Sequence, residues 1–242
     1  MNQQQISMQA VHYTYPDQTP ALQRISLSIE QGEAIALIGG NGAGKSTLLS
    51  LLVGIFFPTV GKISIGGLEL TPKNATLVRR KVGMVFQNPD DQLFMPTVSA
   101  DVAFGPLNMG VAPEQAIQLA ESALATVGAS RLMNRSSHRL SLGEKRAVAI
   151  AAVLSMTPEV LLMDEPTSGL DPWSRRQLIS LLNSFGHTRI IATHDLDFAL
   201  DVCKRTVVMQ NGCLVASGPT QEIMKDKALL ENCRLELPLR LQ

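Results

Sequence analysis

The sequence predicts an α/β fold: a mainly parallel sheet covered by helices, an antiparallel β portion beside it, and an inserted helical subdomain. Short apolar runs typical of buried strands recur late in the chain, at residues 160–163, 189–193 and 206–209, with helical segments between them. Residues 88–158 are instead rich in Ala, Met and Leu at helical spacing. Strands separated by helices indicate a parallel sheet that is covered on both faces.

The start of the chain predicts the antiparallel portion. Residues 6–15 and 22–30 are strand-like, and residues 61–67 predict a strand that runs into a glycine turn. Residues 81–87 predict one more buried strand before the helical insert. Because there is no internal repeat and no long linker, we expect residues 1–242 to form one domain, with the helical subdomain inserted at about residues 88–158.

The composition excludes several classes of function. The 242 residues include 21 Lys and Arg and 21 Asp and Glu, so the net charge is zero. Nucleic acid is therefore not expected as a partner, since non-specific binding to DNA or RNA relies on a basic field. The longest apolar stretch, residues 147–156, is too short to span a bilayer, and the polar start MNQQQ is unlike a signal peptide. A cytosolic location is expected.

The cysteines predict free thiols. Cys203, Cys213 and Cys233 are odd in number, fall late in the chain and lack C-x-x-C spacing. Neither a disulfide framework nor a zinc site is therefore expected.

Residues 39–47, GGNGAGKST, fill every fixed position of the phosphate-binding P-loop, G-x-x-x-x-G-K-[ST]. An apolar strand at residues 34–38 precedes the loop and a helix starts near Ser46, so the core is predicted to be that of a P-loop NTPase. Glycines let backbone N–H groups approach phosphates at the positive end of the helix dipole. Lys45 would add a mobile charge and Ser46 a hydroxyl for Mg²⁺. The nucleotide-binding residues that the loop predicts are Gly39, Asn41, Gly42, Gly44, Lys45, Ser46 and Thr47.

A second part of the site follows a buried strand. Residues 160–165, VLLMDE, form a Walker B pattern that delivers two carboxylates at the end of a strand, where open α/β sheets bind ligands. Asp164 is placed to hold the Mg²⁺ shell through water. Glu165 would be the general base, or would at least orient the water that attacks the γ-phosphate.

Two further polar residues follow strands and are candidate catalytic groups. His194 comes directly after an apolar strand, and we expect it to approach the γ-phosphate from the strand next to Glu165. Gln87 also follows a strand and is predicted to present its amide to Mg²⁺ or to the attacking water. An ordinary turn residue is the alternative for Gln87.

These elements together resemble the ATP-binding-cassette (ABC) family of ATPases. The segment that identifies the resemblance is LSLGE at residues 140–144, which is similar to the family's LSGGQ signature. The resemblance covers essentially the whole chain, with all motifs in family order. It implies that Gln87 is the Q-loop residue, residues 168–171 the D-loop and His194 the switch histidine.

The resemblance also implies that Tyr15 stacks on adenine. A half-buried strand aromatic is the alternative, since Tyr13 points to the same face. Tyr15 is favoured because it alone precedes a Pro-Asp turn, as in the family.

Three residues depart from the family pattern. Leu142 replaces the first signature glycine and Glu144 the glutamine, while Gly40 stands where many members have proline. In the family the signature serine and second glycine contact the γ-phosphate of the other subunit, and Ser141 and Gly143 retain these donors. Glu144 would favour the helix dipole but bring negative charge closer to phosphate. We expect these changes to affect the rate of hydrolysis and not its occurrence.

The family architecture implies a dimer. Signature donors there reach the P-loop of the other subunit, so two cassettes enclose two ATP molecules head to tail, and hydrolysis separates them. A transporter then requires separate membrane subunits. A non-transport ATPase of DNA repair or translation is the competing class, but the long coiled coil or second cassette of those members is missing here. A nucleotide sensor without hydrolysis is disfavoured because Asp164, Glu165 and His194 are all present.

A finer resemblance is to the ATPase subunits of energy-coupling-factor importers, which take up vitamins and transition-metal ions. Residues 85–94 and 97–110 look like that group's Q-loop and following helix, which contact the membrane scaffold. Residues 140–156 and the short LELP at 235–238 are most similar to cobalt and nickel members. The resemblance implies a homodimeric ATPase at the cytoplasmic face of the membrane, bound to scaffold and substrate-binding subunits. A vitamin such as biotin is the alternative cargo.

The cargo metal itself is not expected to bind this chain. Its histidines and cysteines are scattered and show no ligand spacing. The histidines are His12, His138, His187 and His194.

Overall fold

The computed structural model describes residues 4–242, so the first three residues of the expected domain lie outside the described residues. In chain order the strands are β1 (Gln4–Thr14), β2 (Pro20–Glu30), β3 (Ala34–Ile38), β4 (Val60–Ile65), β5 (Leu68–Glu69), β6 (Val82–Val85), β7 (Val160–Asp164), β8 (Thr188–Ala192), β9 (Arg205–Gln210) and β10 (Cys213–Pro219). The helices are α1 (Lys45–Leu52), α2 (Ala75–Lys81), α3 (Val98–Asn108), α4 (Pro113–Thr126), α5 (Leu142–Leu154), α6 (Pro172–Asn183), α7 (Leu196–Val202), α8 (Thr220–Ile223) and α9 (Lys227–Asn232).

The described chain divides into two compact units. The first contains residues 4–82, Glu159–Glu165 and Gly186–Gln242, and the second contains Gly83–Pro158 and Pro166–Phe185. The candidate P-loop and the two carboxylates therefore belong to the first unit. The signature-like segment, Gln87 and the D-loop-like segment belong to the second.

The first unit holds an antiparallel sheet with strand order β2-β1-β4-β5. Apolar and polar residues alternate along its strands, which buries one face, as expected for a sheet with one side covered. The fully or almost fully buried residues of that face are Ile6, Met8, Val11, Leu22, Ile25, Leu27, Ile29, Ile63 and Ile65.

The same unit holds a second sheet, in which the strands run in the order β10-β9-β3-β8-β7. Strand β3 pairs in parallel with β8 and with β9, and β7 pairs in parallel with β8. All residues of β3, β7 and β8 are buried, including the polar ones at their ends. Because these strands are parallel neighbours, their carboxyl ends lie at one edge of the sheet, and that edge carries the candidate site.

The second unit is mainly helical. Thr97 caps the N-terminus of α3, where its side chain accepts a hydrogen bond from the Ala100 amide. Ser141 caps α5 in the same way, by accepting from the Glu144 amide. The side chains that α5 buries are mostly apolar, with the exception of Arg146. No helix within residues 4–242 is long and apolar enough to cross a membrane.

The predicted fold class is confirmed: the protein is α/β, with a mainly parallel sheet and an antiparallel sheet. Two details differ from the sequence prediction. Strand β6 ends at Val85, so Gln87 lies in the following loop and not at the strand end itself. A final antiparallel strand, β10, pairs with β9 at the edge of the second sheet, where half-buried residues gave little sequence signal.

Candidate active site

The P-loop connects β3 to α1 in the first unit. Gly44 precedes the first helical residue with a φ of 102°, and a Cβ at this position would lie 2.9 Å from the Leu22 side chain. Only glycine fits that combination of backbone angle and close approach. The loop therefore runs directly into the α1 N-terminus, the end of a helix that favours phosphate.

Lys45 folds back over this loop. Its Nζ donates hydrogen bonds to the Gly39 carbonyl at 2.7 Å and to the Gly40 carbonyl at 3.3 Å. Burial lowers the pKa of Lys45, while the negative charges of Glu165 and Asp164 act in the opposite direction. The Lys45 side chain is thus half-buried and close enough to both carboxylates to interact with their negative charge.

An aromatic cluster lies beside α1. The Tyr15 hydroxyl is 2.7 Å from Thr47 Oγ1, and the Tyr15 ring meets the rings of Tyr13 and Phe56 edge to face at 5.1 and 5.8 Å. Tyr13 is 7% exposed and stacks on Phe56, so its faces are covered. Tyr15 is the more exposed of the two tyrosines, and its hydroxyl reaches the P-loop helix.

Asp164 and Glu165 follow one another at the end of β7. They are 7% and 8% exposed, and Asp164 is in register with Ala192 on the neighbouring strand β8. Burial raises the pKa of Asp164, a hydrogen bond from the Ser46 hydroxyl lowers it, and the nearby Glu165 charge raises it again. Two adjacent acids and a hydroxyl therefore converge on one small region of the first unit.

Glu165 is held from several directions. Its Oε2 lies 2.7 Å from His194 Nδ1, 3.2 Å from the His194 amide and 3.3 Å from Thr193 Oγ1, and its own amide donates to the Ala192 carbonyl at 2.8 Å. Glu165 has a φ of +46°, a conformation that residues other than glycine rarely adopt. Such a backbone persists only where the surrounding contacts enforce it, and these contacts do so.

His194 lies next to Glu165, two residues after the end of β8. Its side chain is 67% exposed, whereas that of Glu165 is 10% exposed. With Nδ1 directed at the carboxylate, the other ring nitrogen, Nε2, is available to a ligand.

In the second unit, Ser141 and Glu144 form a capping box at the start of α5. The Ser141 hydroxyl accepts from the Glu144 amide at 3.3 Å, and the Glu144 carboxylate accepts from the Ser141 amide at 3.0 Å. The hydrogen bond from the Ser141 amide is the main cause of the lowered pKa of Glu144, and Arg135 and Arg131 lower it further. The Glu144 carboxylate also lies 3.3 Å from Arg131 and 3.7 Å from Arg135, so its negative charge has two cationic neighbours within the unit.

Leu142 is 39% exposed and covers part of the D-loop-like segment. A Cβ at Gly169, which has a φ of 73°, would lie 2.7 Å from Leu142 Cδ2. Gly143 is equally close to α6, since a Cβ there would lie 2.6 Å from Ser174 Oγ. Asp171 caps α6 by accepting hydrogen bonds from the Trp173 and Ser174 amides.

The loop that carries Gln87 is anchored to α5. The Gln87 side chain is exposed, but its main-chain carbonyl accepts a 2.7 Å hydrogen bond from Arg146. The Phe86 carbonyl accepts a second 2.7 Å bond from the same guanidinium group.

The structure thus brings together, in the first unit, the predicted residues Lys45, Ser46, Asp164, Glu165 and His194. Gln87, Ser141 and Gly143 lie in the second unit.

Thr193 and Arg146 contact candidate groups and were not predicted. Thr193 is fully buried and bonds to Glu165, and its place between a strand and His194 was a usable signal. Arg146 gave no clear signal, because a lone arginine in a helix usually lies on the surface.

The described residues contain no group of three or more His, Cys, Asp or Glu side chains that could hold a metal ion. Their cysteines are free thiols, of which Cys203 and Cys233 are buried.

Comparison with known proteins places these features in context. The family described as ABC transporter matches residues 22–168. GSU1281 of Geobacter sulfurreducens, named as an ABC transporter ATP-binding protein, is 53% identical over 230 residues, covering 95% of this chain and 92% of that protein. The energy-coupling factor transporter ATP-binding protein EcfA1 of Methanospirillum hungatei is 45% identical over 238 residues, covering 97% of this chain and 86% of that protein.

Two solved structures have the same fold. CbiO1 of Clostridium perfringens, part of the ABC transporter complex CbiONQ, superposes with a TM-score of 0.84 at 37% identity, covering 95% of this chain and 94% of that chain. The ATP-binding cassette MJ0796, a dimer with bound ADP and phosphate, superposes with a TM-score of 0.79 at 27% identity, covering 89% of this chain and 98% of that chain.

Proposed function

Because this chain belongs to the ABC transporter family and is an ATP-hydrolysing transporter subunit, we propose that it energises an energy-coupling-factor importer of cobalt or nickel ions. The observation that carries the ATPase part of the proposal is the convergence of the P-loop lysine with Asp164, Glu165 and His194 in the first unit. The cargo part is supported by the likeness of residues 140–156 and 235–238 to cobalt and nickel members. A charge for phosphate, a held carboxylate and a partner histidine are the groups that phosphoryl transfer to water uses.

Nucleotide binding is proposed for the P-loop and Tyr15. The loop amides and Lys45 would bind the β- and γ-phosphates, so Lys45 must leave its present carbonyl partners at Gly39 and Gly40 when ATP enters. Tyr15 would stack on adenine through the face that Tyr13 and Phe56 leave uncovered. The remaining proposed contacts come from Gly39, Asn41, Gly42, Gly44, Ser46 and Thr47.

The donor set of the first unit fits Mg²⁺. Ser46 and Asp164 are hydrogen-bonded to each other, and hydroxyl and carboxylate oxygens are the ligands that this hard cation prefers. Ser46 would bind it directly and Asp164 through water, while Gln87 would offer its amide oxygen to the ion or to the attacking water. When bound, Mg²⁺ neutralises charge on the phosphates. Burial is the main cause of the raised pKa of Asp164, so a cation at this carboxylate would favour its ionised form.

Glu165 is proposed as the general base, or at least as the group that orients the attacking water. Its carboxylate is buried, and the contacts from Thr193 and His194 all go to Oε2. The proposed water would therefore be bound by Oε1. His194 would hold Glu165 through Nδ1 and meet the γ-phosphate through Nε2.

A head-to-tail homodimer is the proposed working form. In the arrangement that the family resemblance implies, Ser141 and Gly143 of one subunit contact the γ-phosphate held by the P-loop of the other. The structure of the cassette MJ0796, a dimer with bound ADP and phosphate, supports a dimeric form. One chain that carries every motif can build two equivalent sites, so no second, different ATPase is required.

The surface that would bind the membrane scaffold is residues 87–98 with the adjoining helix α3. Phe94 and Phe104 meet edge to face at 4.9 Å, yet they are 56% and 38% exposed, and Leu107 on the same helix is 44% exposed. Exposed aromatic and aliphatic side chains in contact with each other are typical of a protein interface.

We propose that the whole chain is one ABC domain with a helical subdomain at about residues 88–158, peripheral to the cytoplasmic face of the membrane.

Metal uptake tests the proposed cargo. Cells that express this chain with its neighbouring transport genes should accumulate radioactive cobalt or nickel, and Glu165→Gln should abolish uptake. The purified subunit should show no tight cobalt or nickel binding by calorimetry. Uptake of biotin or another vitamin would leave the mechanism standing and replace the cargo. Uptake that persists in Glu165→Gln would contradict the transport function.

A further inference from the structure

Arg146 is a buried cation whose hydrogen bonds all go to one loop. It is 2% exposed, in a helix that otherwise buries apolar residues. Its Nη1 and Nη2 donate to the carbonyls of Phe86 and Gln87, each at 2.7 Å, and its Nε has no hydrogen-bond partner among the described residues. Burial lowers the pKa of Arg146, a measure of how unfavourable this position is for a charge. An aliphatic side chain would fit such a helix face without that penalty.

The contacts fix two consecutive peptide planes. A planar guanidinium group that binds two successive carbonyls sets the direction of both, and so sets the direction in which the Gln87 side chain leaves the backbone. The Phe86 amide is held as well, by Gln92 Oε1 at 3.3 Å, and Gln92 Nε2 donates to the Ala149 carbonyl of α5 at 2.8 Å. The main chain at Gln87 is thus fixed to α5, while its side chain stays exposed.

We infer that Arg146 is a positioning residue, which aims the Gln87 amide and ties it to the helix that begins at Ser141. The inference rests on the function proposed for Gln87. Arg146 is five residues after Ser141 on the same helix, so a displacement of the Gln87 loop moves the helix that carries the signature. The loop is also part of the proposed scaffold-binding surface. Arg146 would therefore link partner binding to both groups.

Arg146→Lys is the informative substitution. It keeps the charge and most of the length, but it lacks the fork that binds two carbonyls at once. The matched control is Lys145→Gln. Lys145 is the adjacent residue and binds Asp90 of the same loop at 2.6 Å, without contacting the Gln87 carbonyl.

The test is a double-mutant cycle with Gln87→Ala, measured by steady-state kcat of the full chain. Arg146→Lys should lower kcat about 10-fold in the wild-type background, because small misplacements of a positioned group have effects of this size. It should lower kcat less than about 2-fold further in the Gln87→Ala background. The KM for ATP should stay within about 2-fold, and Lys145→Gln should keep kcat within about 2-fold.

Hydrogen exchange provides a readout that is independent of turnover. Peptides covering residues 86–92 should exchange at least about 5-fold faster in Arg146→Lys, with unchanged exchange in peptides covering β3 and β7. If Gln87→Ala itself keeps full activity, the role proposed for Gln87 is wrong and the inference about Arg146 fails with it. If Gln87→Ala is impaired but the Arg146→Lys effect is fully multiplicative, only the inference about Arg146 is overturned. Global unfolding of Arg146→Lys would likewise assign Arg146 a purely structural role.

Discussion

Glu165 Oε2 lies 2.7 Å from His194 Nδ1, across the carboxyl ends of two adjacent parallel strands. The His194 amide and Thr193 hydroxyl contact the same oxygen, so the end of β8 holds the carboxylate that follows β7. These contacts fix the position of the carboxylate, as expected for a preorganised catalytic group.

Replacement of His194 tests this relationship first. His194→Ala should lower kcat at least about 10-fold, because it removes the partner of Glu165 and the proposed γ-phosphate contact of Nε2. ATP affinity should stay within a few-fold, because the P-loop amides and Lys45 remain. Phosphate release and equilibrium nucleotide binding measure the two quantities. His12→Ala, on strand β1, is the matched control and should behave as wild type. Full turnover in His194→Ala would contradict the role of His194.

Replacement of Lys45 should have the opposite pattern. Lys45→Ala should weaken MgATP binding at least about 10-fold, because it removes the cation of the P-loop. Fluorescent-nucleotide titration measures this affinity. Normal affinity together with lost turnover would show that Lys45 acts only in the chemical step, which contradicts its proposed role in phosphate binding.

Substitutions in the signature-like segment test which of its residues contact the γ-phosphate. Leu142→Gly should keep ATPase activity within a few-fold, because the proposed contacts come from Ser141 and Gly143 and Leu142 mainly covers Gly169. Ser141→Arg should abolish activity. Mixing it with an inactive Lys45→Ala chain should restore part of the activity, because one site of the mixed dimer then combines an intact Lys45 with an intact Ser141 from the other subunit. Equal damage from Leu142→Gly and Ser141→Arg would refute this assignment.

At Asp164 we expect the stability of the fold to conflict with the proposed function of the carboxylate. Because the pKa of Asp164 is raised in the folded protein, its ionised form destabilises the fold at neutral pH. Asp164→Asn should therefore raise the melting temperature at pH 7 by about 2–4 °C, an increase that shrinks as the pH falls towards the ordinary aspartate range. Differential scanning calorimetry from pH 4 to 8 measures this. A melting temperature that drops at pH 7 would mean that the charge stabilises the fold, opposite to the direction of the shift.

Much of the fold could be predicted because the relevant segments bury every residue. Strands β3 and β7 are short, mainly apolar runs followed directly by glycines or acids. Both their strand conformation and the positions of their ends could therefore be predicted from the sequence. The antiparallel strands could be predicted from the alternation of apolar and polar residues along the sequence. Strand β10 was not, because its residues are half-buried or exposed and its pairing with β9 depends on tertiary context.

The positions of the candidate site residues could be predicted where a short motif follows a strand. The P-loop, Asp164, Glu165 and His194 stand in short motifs beside strands. Contacts made by main-chain atoms were not predictable, since no sequence pattern shows that Arg146 binds the Phe86 and Gln87 carbonyls. The Ser141–Glu144 capping box has a sequence pattern, S-x-x-E, but the same residues fall within the signature-like segment, where phosphate contact was the expectation.

Glu165→Gln tests the central claim most directly. The variant removes the proposed base but keeps the side-chain shape and the P-loop, so it should bind MgATP with near-normal affinity and lose nearly all phosphate release. Size-exclusion chromatography with ATP should then show the chain accumulating as a dimer that wild type forms only transiently. Hydrolysis at the wild-type rate by Glu165→Gln would contradict the assignment of Glu165 as the catalytic base.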